Sequence, residues 1–156
     1  MVHQVSIPTF QTGILRVWQI WGACSKASSF NYDISRWNVS SVTNMEDMFY
    51  GASSFNSDIS NWDVSTVTNM RYMFYSASSF NSEISNWNIG SVNYMTGMFN
   101  GASSFNQNLC PWGLKLPLDF DYVNYAFFMF DSSGCLNTDR PKGRTGPWCA
   151  VTNCTA

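Results

Sequence analysis

The chain has 156 residues with a formal net charge of -2, 12% charged and 17% aromatic side chains. That balance excludes an intrinsically disordered chain, which is rich in charge and poor in aromatics, and it lacks the basic footprint of a nucleic-acid binder. The length suits one domain or one short repeat array.

The N-terminal segment, MVHQVSIPTFQTGILRVWQIWGACSKAS, holds the lone histidine, His3. Its most apolar part, Ile14 to Ala23, is interrupted by Arg16 and Gln19. It therefore falls short of a secretory signal's unbroken apolar centre and of the roughly 20 apolar residues of a membrane span. No signal peptide is visible and no membrane span is expected. Residues 1–27 read as an N-terminal segment ending in a degenerate half-repeat or cap, with Ile20, Ala23 and Cys24 in the columns of the repeat that follows.

From residue 28 to 112 the chain repeats itself every 25 residues. Phe30, Phe55, Phe80 and Phe105 share one register, as do Trp37, Trp62, Trp87 and Trp112. The same shift aligns Ile34 with Ile59 and Ile84, Val42 with Val67 and Val92, and Met45 with Met70 and Met95. A period of this size signals stacked units, each unable to bury its apolar face alone. Cys24 falls in the column of Phe49, Phe74 and Phe99, which suggests a buried free thiol in place of an aromatic ring.

Within one unit, Val67, Met70, Met73, Phe74 and Ala77 follow the spacing of one helical face. Thr43 and Glu46 have capping-box spacing, and Gly51 and Gly101 stand where a helix would end. About two turns of helix per repeat are expected. Asp58-Ile59-Ser60 and its copies read as a short strand, with Ile59 inward and its neighbours outward. Stacked copies would form a parallel ladder at about 4.8 Å spacing. The fold expected is thus an α/β repeat solenoid with one short parallel strand and one short helix per 25-residue coil. Asn31, Asn56, Asn81 and Asn106 form an unbroken column, read as amides inside the turn that satisfy otherwise unpaired backbone groups.

After Trp112 the interval to Met129-Phe130 is six residues longer than from Trp62 to Met73. Residues 113–156 therefore read as an irregular last coil and a Cys-rich C-terminal cap. Cys135 arrives where the next column Phe is due. Cys110, Cys135, Cys149 and Cys154 lack the paired CxxC or Cys/His spacing of zinc sites, so disulfides are expected, with their pairing open, in an oxidising compartment. The basic group Arg140, Lys142 and Arg144 reads as a solvated loop.

The motif W[DN]VSxVTNMxxMFxGAxSFNxDIS resembles the repeat of the BspA-type leucine-rich-repeat surface proteins, found in bacterial surface lipoproteins and in algae such as diatoms. The resemblance covers Ser28 to about Cys110, and FNQNLCPWG with MFDSSGC and GPWCAVTNC looks like the closing module of the algal members. It implies a leucine-rich-repeat-like solenoid and a non-catalytic role in adhesion or recognition. It carries over no catalytic or ligand residues.

No nucleophile stands with a base, and neither P-loop, GxGxxG nor GxSxG is present, so an enzyme is not expected. Neither is a cofactor or a resident metal. Asp33, Asp58 and Glu83, continued by Asn108, form an outward column beside Ser35, Ser60 and Ser85. Such a column could hold Ca²⁺, but a solvated acidic strip is the favoured reading. This polar, repetitive strand face is nominated for binding. Asn38-Val39-Ser40 and Asn153-Cys154-Thr155 are glycosylation candidates. The function expected is an extracellular or cell-surface recognition or adhesion module whose partner is a protein or glycan. The alternative is a structural protein joining copies of itself end to end into filaments. Ice or mineral binding ranks lower, because the Thr43, Thr68 column breaks at Asn93.

Overall fold

The computed structural model describes residues 24–154, so Ile20, Ala23 and the rest of the expected half-repeat before Cys24 lie outside the described residues. Successive 25-residue units lie on one another in register. Met45, Asp47, Phe49 and Gly51 donate their backbone N–H groups to the carbonyls of Asn69, Arg71, Met73 and Tyr75 in the next coil, at 2.7–3.0 Å. Met70, Tyr72, Phe74 and Ser76 repeat the pattern onto Tyr94, Thr96, Met98 and Asn100. The N–H groups between them turn back within their own coil. Met48, Tyr50 and Ala52 donate to Met45, Asp47 and Phe49, three residues earlier.

The expected strand and helix of an α/β solenoid do not form. Among the described residues the helices are α1 (Cys110–Lys115) and α2 (Tyr122–Tyr125), neither within a repeat, and there are isolated bridges but no strands. The helix fails because two residues per coil adopt left-handed backbone: Asp47 and Gly51 (φ 58° and 68°), Tyr72 and Ser76 (52° and 54°), Gly97 and Gly101 (61° and 75°). A right-handed helix cannot run through them. Nor does the capping box form. Asn44 Oδ1 takes the Glu46 N–H at 2.9 Å, and the Glu46 carboxylate accepts from Asn69 Nδ2. Parallel bridges instead join Asn44 to Asn69 and Asn69 to Tyr94, inside the stretch expected to be helical.

The strand fails for a related reason. Its backbone donors are taken by side chains: Ser60 N–H by Asp58 Oδ1, and Asn56 N–H by Asn31 Oδ1 of the coil before. The Asn column continues upward, with Asn56 Oδ1 accepting from Asn81 N–H (2.8 Å), Asn81 from Asn106 (3.0 Å) and Asn106 from Leu136 (3.2 Å). These amides do serve the backbone, but they stand exposed and not inside the turn.

The inward set matches the apolar pattern even where the backbone does not. Val42, Met45, Met48, Phe49 and Ala52 are buried, as are Ile34, Ile59 and Ile84. Two columns of phenylalanines run up the core side by side. Partners within a coil stack at 3.9 Å (Phe49–Phe55), 3.8 Å (Phe74–Phe80) and 4.0 Å (Phe99–Phe105). Neighbours along a column lie 5.5–5.8 Å apart, from Phe49 through Phe74 and Phe99 to Phe130. Burying aromatic rings in bulk is the main apolar gain here. The tryptophans form a third row: Trp37 stacks on Trp62 and Trp87 on Trp112. Each indole N–H of Trp62, Trp87 and Trp112 donates to the isoleucine carbonyl 28 residues earlier, at 3.0–3.1 Å. Cys24 is a buried free thiol, part of the same apolar core.

The last coil absorbs its extra residues in α1 and α2. Pro111 sits in the first turn of α1, where a missing N–H costs nothing, and Asp121 caps α2 by accepting from Val123 and Asn124. The ladder then resumes, with Met95, Gly97, Phe99 and Gly101 donating to Tyr125, Phe127, Met129 and Asp131. Beyond it the chain folds back over the exposed edge of the last coil. Asn108 and Cys149 form an antiparallel bridge, and Ala150 N–H reaches Gln107 O. Disulfides Cys110–Cys154 and Cys135–Cys149 lock this cover in place. Gly113 makes the fit possible, since a Cβ there would run into the Arg144 carbonyl.

Asn81→Ala should lower stability by about 1 kcal/mol, or about 2–4 °C in Tm, while Asn81→Asp, which keeps an acceptor, should lose less. Calorimetry on the three proteins checks the order. Replacing Cys135 and Cys149 by serine should cost about 3 kcal/mol, since the bond closes a short loop of sequence separation 14. Denaturant titration reads that loss directly.

Candidate functional site

Two long faces of the stack carry functional groups. The first is built from short turns beside the tryptophans, Asp-x-Ser or Asn-x-Ser around Trp37 and Trp62 and variants of these around Trp87 and before Trp112. Asp33 Oδ1 accepts from both the N–H (3.0 Å) and the hydroxyl (2.7 Å) of Ser35. Asp58 repeats this with Ser60 at 2.9 and 2.7 Å, and Glu83 Oε1 takes the Ser85 N–H at 2.7 Å. Short side chains that bond their own backbone two residues on are the reason these residue types form turns. Asn108 closes the row: its Oδ1 holds Cys110 N–H, and the C-terminal segment pairs against it.

The nominated residues are therefore brought into one row, but as a row of turns and not a strand face. Asp33, Asp58, Glu83 and Asn108 are exposed, and Ser35, Ser60 and Ser85 are half-buried, the hydroxyls of Ser35 and Ser60 turned back onto their carboxylates. Asp33 lies near enough to Asp58 for its charge to oppose Asp58's ionisation. The stronger effect runs the other way. The hydroxyl and then the amide of Ser35, Ser60 and Ser65 hold Asp33, Asp58 and Asp63 below the usual carboxylate range. Asp33, Asp58 and Asp63 are thus fixed anions on exposed side chains, with Oδ1 bound internally. Depressed carboxylates make poor general acids. Among the described residues no three Cys, His, Asp or Glu side chains are grouped to hold a metal.

A second row follows the tryptophans; Asn38 stands out in the sequence only as a glycosylation candidate, and Asp63 and Asn88 do not stand out at all. Asn38 Oδ1 binds the amide and hydroxyl of Ser40 at 3.1 and 2.7 Å, and Asp63 binds those of Ser65 at 3.1 and 2.6 Å. Asn88 takes Gly90 N–H at 3.3 Å, without a hydroxyl. The D-x-S and N-x-S spacing carries the signal that would have found it.

The other face is aromatic. Tyr50 stacks on Tyr75 at 4.7 Å, Tyr72 meets Tyr75 edge-on, and the Arg71 guanidinium lies 4.6 Å over the Tyr94 ring. Gly97 is required there: its φ is 61°, and a Cβ would stand 2.6 Å from the Tyr72 ring. Phe128 occupies the same place in the last coil, again with left-handed backbone, and is 49% exposed. Nothing in residue type alone announced this face, because Asp47, Tyr72, Gly97 and Phe128 share only a backbone conformation.

His3 lies outside the described residues, as does Thr155 of the second glycosylation triplet. Residues 15–141 match the model of a protein family described as "Mycoplasma protein of unknown function, DUF285". No curated protein and no solved structure matches the chain.

Two outcomes follow from the ionisations. The Asp33, Asp58 and Asp63 carboxylates are more acidic folded than unfolded, where Asp titrates near about 3.9. Their turns thus add stability above that pH, lost as pH falls through the folded values. Tm of the native chain should fall more steeply from pH 5 to pH 2 than that of the Asp33→Asn, Asp58→Asn, Asp63→Asn variant. Equal slopes would contradict it. Burial pushes the Cys24 thiol up to about 12, so at pH 8 a thiol reagent should label the denatured chain once and the folded chain hardly at all.

Proposed function

The chain belongs to the DUF285 family, and on that footing we propose that it is a non-catalytic recognition or adhesion module of the cell surface or extracellular space. Within the family it sits with the BspA-type surface repeats, to which its 25-residue motif is similar. Its partner is a protein or a glycan. Two disulfides fit an oxidising compartment, and no helix among the described residues is long and apolar enough to cross a membrane.

One observation carries the reading. Asp33, Asp58 and Glu83 recur at one place in successive coils, each exposed and each held through one oxygen by its own serine. Groups fixed before binding lose little entropy on contact. Three such acceptors suit hydroxyl or cationic donors spaced along an extended partner. End-to-end assembly is less well supported, since residues 148–151 already occupy the C-terminal edge at Gln107 to Leu109.

The test measures binding of purified protein to intact cells by flow cytometry and to a glycan microarray. The native chain should bind above an albumin control. The Asp33→Asn, Asp58→Asn, Glu83→Gln variant should lose at least about tenfold in affinity while remaining folded at the assay temperature, with a Tm at pH 7 somewhat lowered by the loss of the two Asp turns. Native protein that binds neither surface, or a variant that binds as well, would refute the proposal.

A further inference from the structure

We propose that Asn38 is an N-glycan attachment site and that the chain carries its glycan there, at the start of the second turn row. The inference rests on the reading that the protein passes through an oxidising secretory route, and adds to it a modification with one position.

The sequence alone offers two triplets, and the structure separates them. Asn38 is exposed, and its side-chain amide is held in a single orientation: Oδ1 accepts from the Ser40 N–H at 3.1 Å and from the Ser40 hydroxyl at 2.7 Å. Nδ2, which the turn leaves out, has no partner among the described residues. The hydroxyl residue two positions on, which such triplets require, is thus already engaged with the acceptor amide. Glycosylation at Nδ2 would leave both of these hydrogen bonds intact, so the coil would need no rearrangement. At the other triplet, Cys154 is the middle residue and is tied to Cys110. Asn153 is exposed as well, but its triplet is pinned through that disulfide to Cys110 at the start of α1, whereas no covalent tie restrains the Asn38 triplet.

The row also explains why only one coil is marked. The residues equivalent to Asn38 are Asp63, which has no amide nitrogen, and Asn88, which is followed by Ile89 and Gly90 and lacks the hydroxyl. All three occupy the same turn. The fold tolerates Asp, Asn, Ser and Gly in these places, so the turn itself does not demand an Asn-Val-Ser triplet.

The step joins Asn38 to an oligosaccharide carried on a lipid diphosphate. Nδ2 forms a bond to the anomeric carbon, and the bond from that carbon to the diphosphate oxygen breaks. The electron pair leaves with the lipid diphosphate, and one Nδ2 proton passes to base.

The experiment expresses the full chain behind a secretory leader in eukaryotic cells and measures the intact mass of the secreted protein. Spectra are taken before and after peptide-N-glycosidase, with a thiol count on the same sample. A single glycan is expected, lost in Asn38→Gln and in Ser40→Ala and retained in Ser40→Thr and Asn153→Gln. Secreted protein with both disulfides formed and Asn38 bare overturns the proposal and leaves the extracellular reading standing. A chain that is retained with its cysteines reduced overturns both.

Discussion

The structure depends on how backbone hydrogen bonds are divided between coils. In the segment from Met45 to Ala52 every second N–H crosses to the next coil, and the ones between stay in their own: Glu46 on the Asn44 side chain, and Met48, Tyr50 and Ala52 on carbonyls three residues earlier. Neither a helix nor a strand divides them this way: a helix keeps all its donors to itself, and a strand gives them to its neighbours. Left-handed residues at two fixed places in each coil make the division possible. Because each coil's donors need the next coil's carbonyls, a coil left alone would expose half of them. Register follows directly, since a slip by one residue would strand the whole set.

Register in turn decides what the side chains do. Once equivalent residues overlie one another, Phe must stack on Phe and Trp on Trp, which gives the ring columns in the core. Polar residues overlie one another outside, and there they complete the backbone accounting. The exposed asparagines take the N–H of the next coil, and the Asp-x-Ser turns take donors that no strand ladder uses. The array must stop somewhere. At the C-terminal end Cys135 stands at the next phenylalanine position, bonded to Cys149, and the returning chain pairs with the open edge. An uncovered edge would be a template for further pairing.

Much of this was legible in the residues, and what was not has a physical reason. The period, the buried columns, the lone thiol at Cys24 and the swelling of the last coil all follow from side-chain identity, which a sequence displays. Backbone conformation is displayed only indirectly. Val42, Met45, Met48 and Phe49 recur at three- and four-residue spacing, but a chain of tight turns buries residues at nearly that spacing too. The stripe therefore located the inward residues while misassigning their backbone as helix. Asp58-Ile59-Ser60 failed in the opposite direction. Its alternation was correct, with Ile59 buried, but Asp58 competes for the donor a strand would have used. The acidic column was visible as a column. That its oxygens were half occupied by neighbouring serines was written in the two-residue spacing, and only the geometry made its meaning plain.

The central claim, that alternate amides cross between coils, can be tested by measuring scalar couplings through hydrogen bonds in isotope-labelled protein. Coupling should appear from the amide nitrogens of Asp47, Phe49 and Gly51 to the carbonyl carbons of Arg71, Met73 and Tyr75. Couplings from those same amides to carbonyls four residues earlier in their own coil would show a helix and contradict the account.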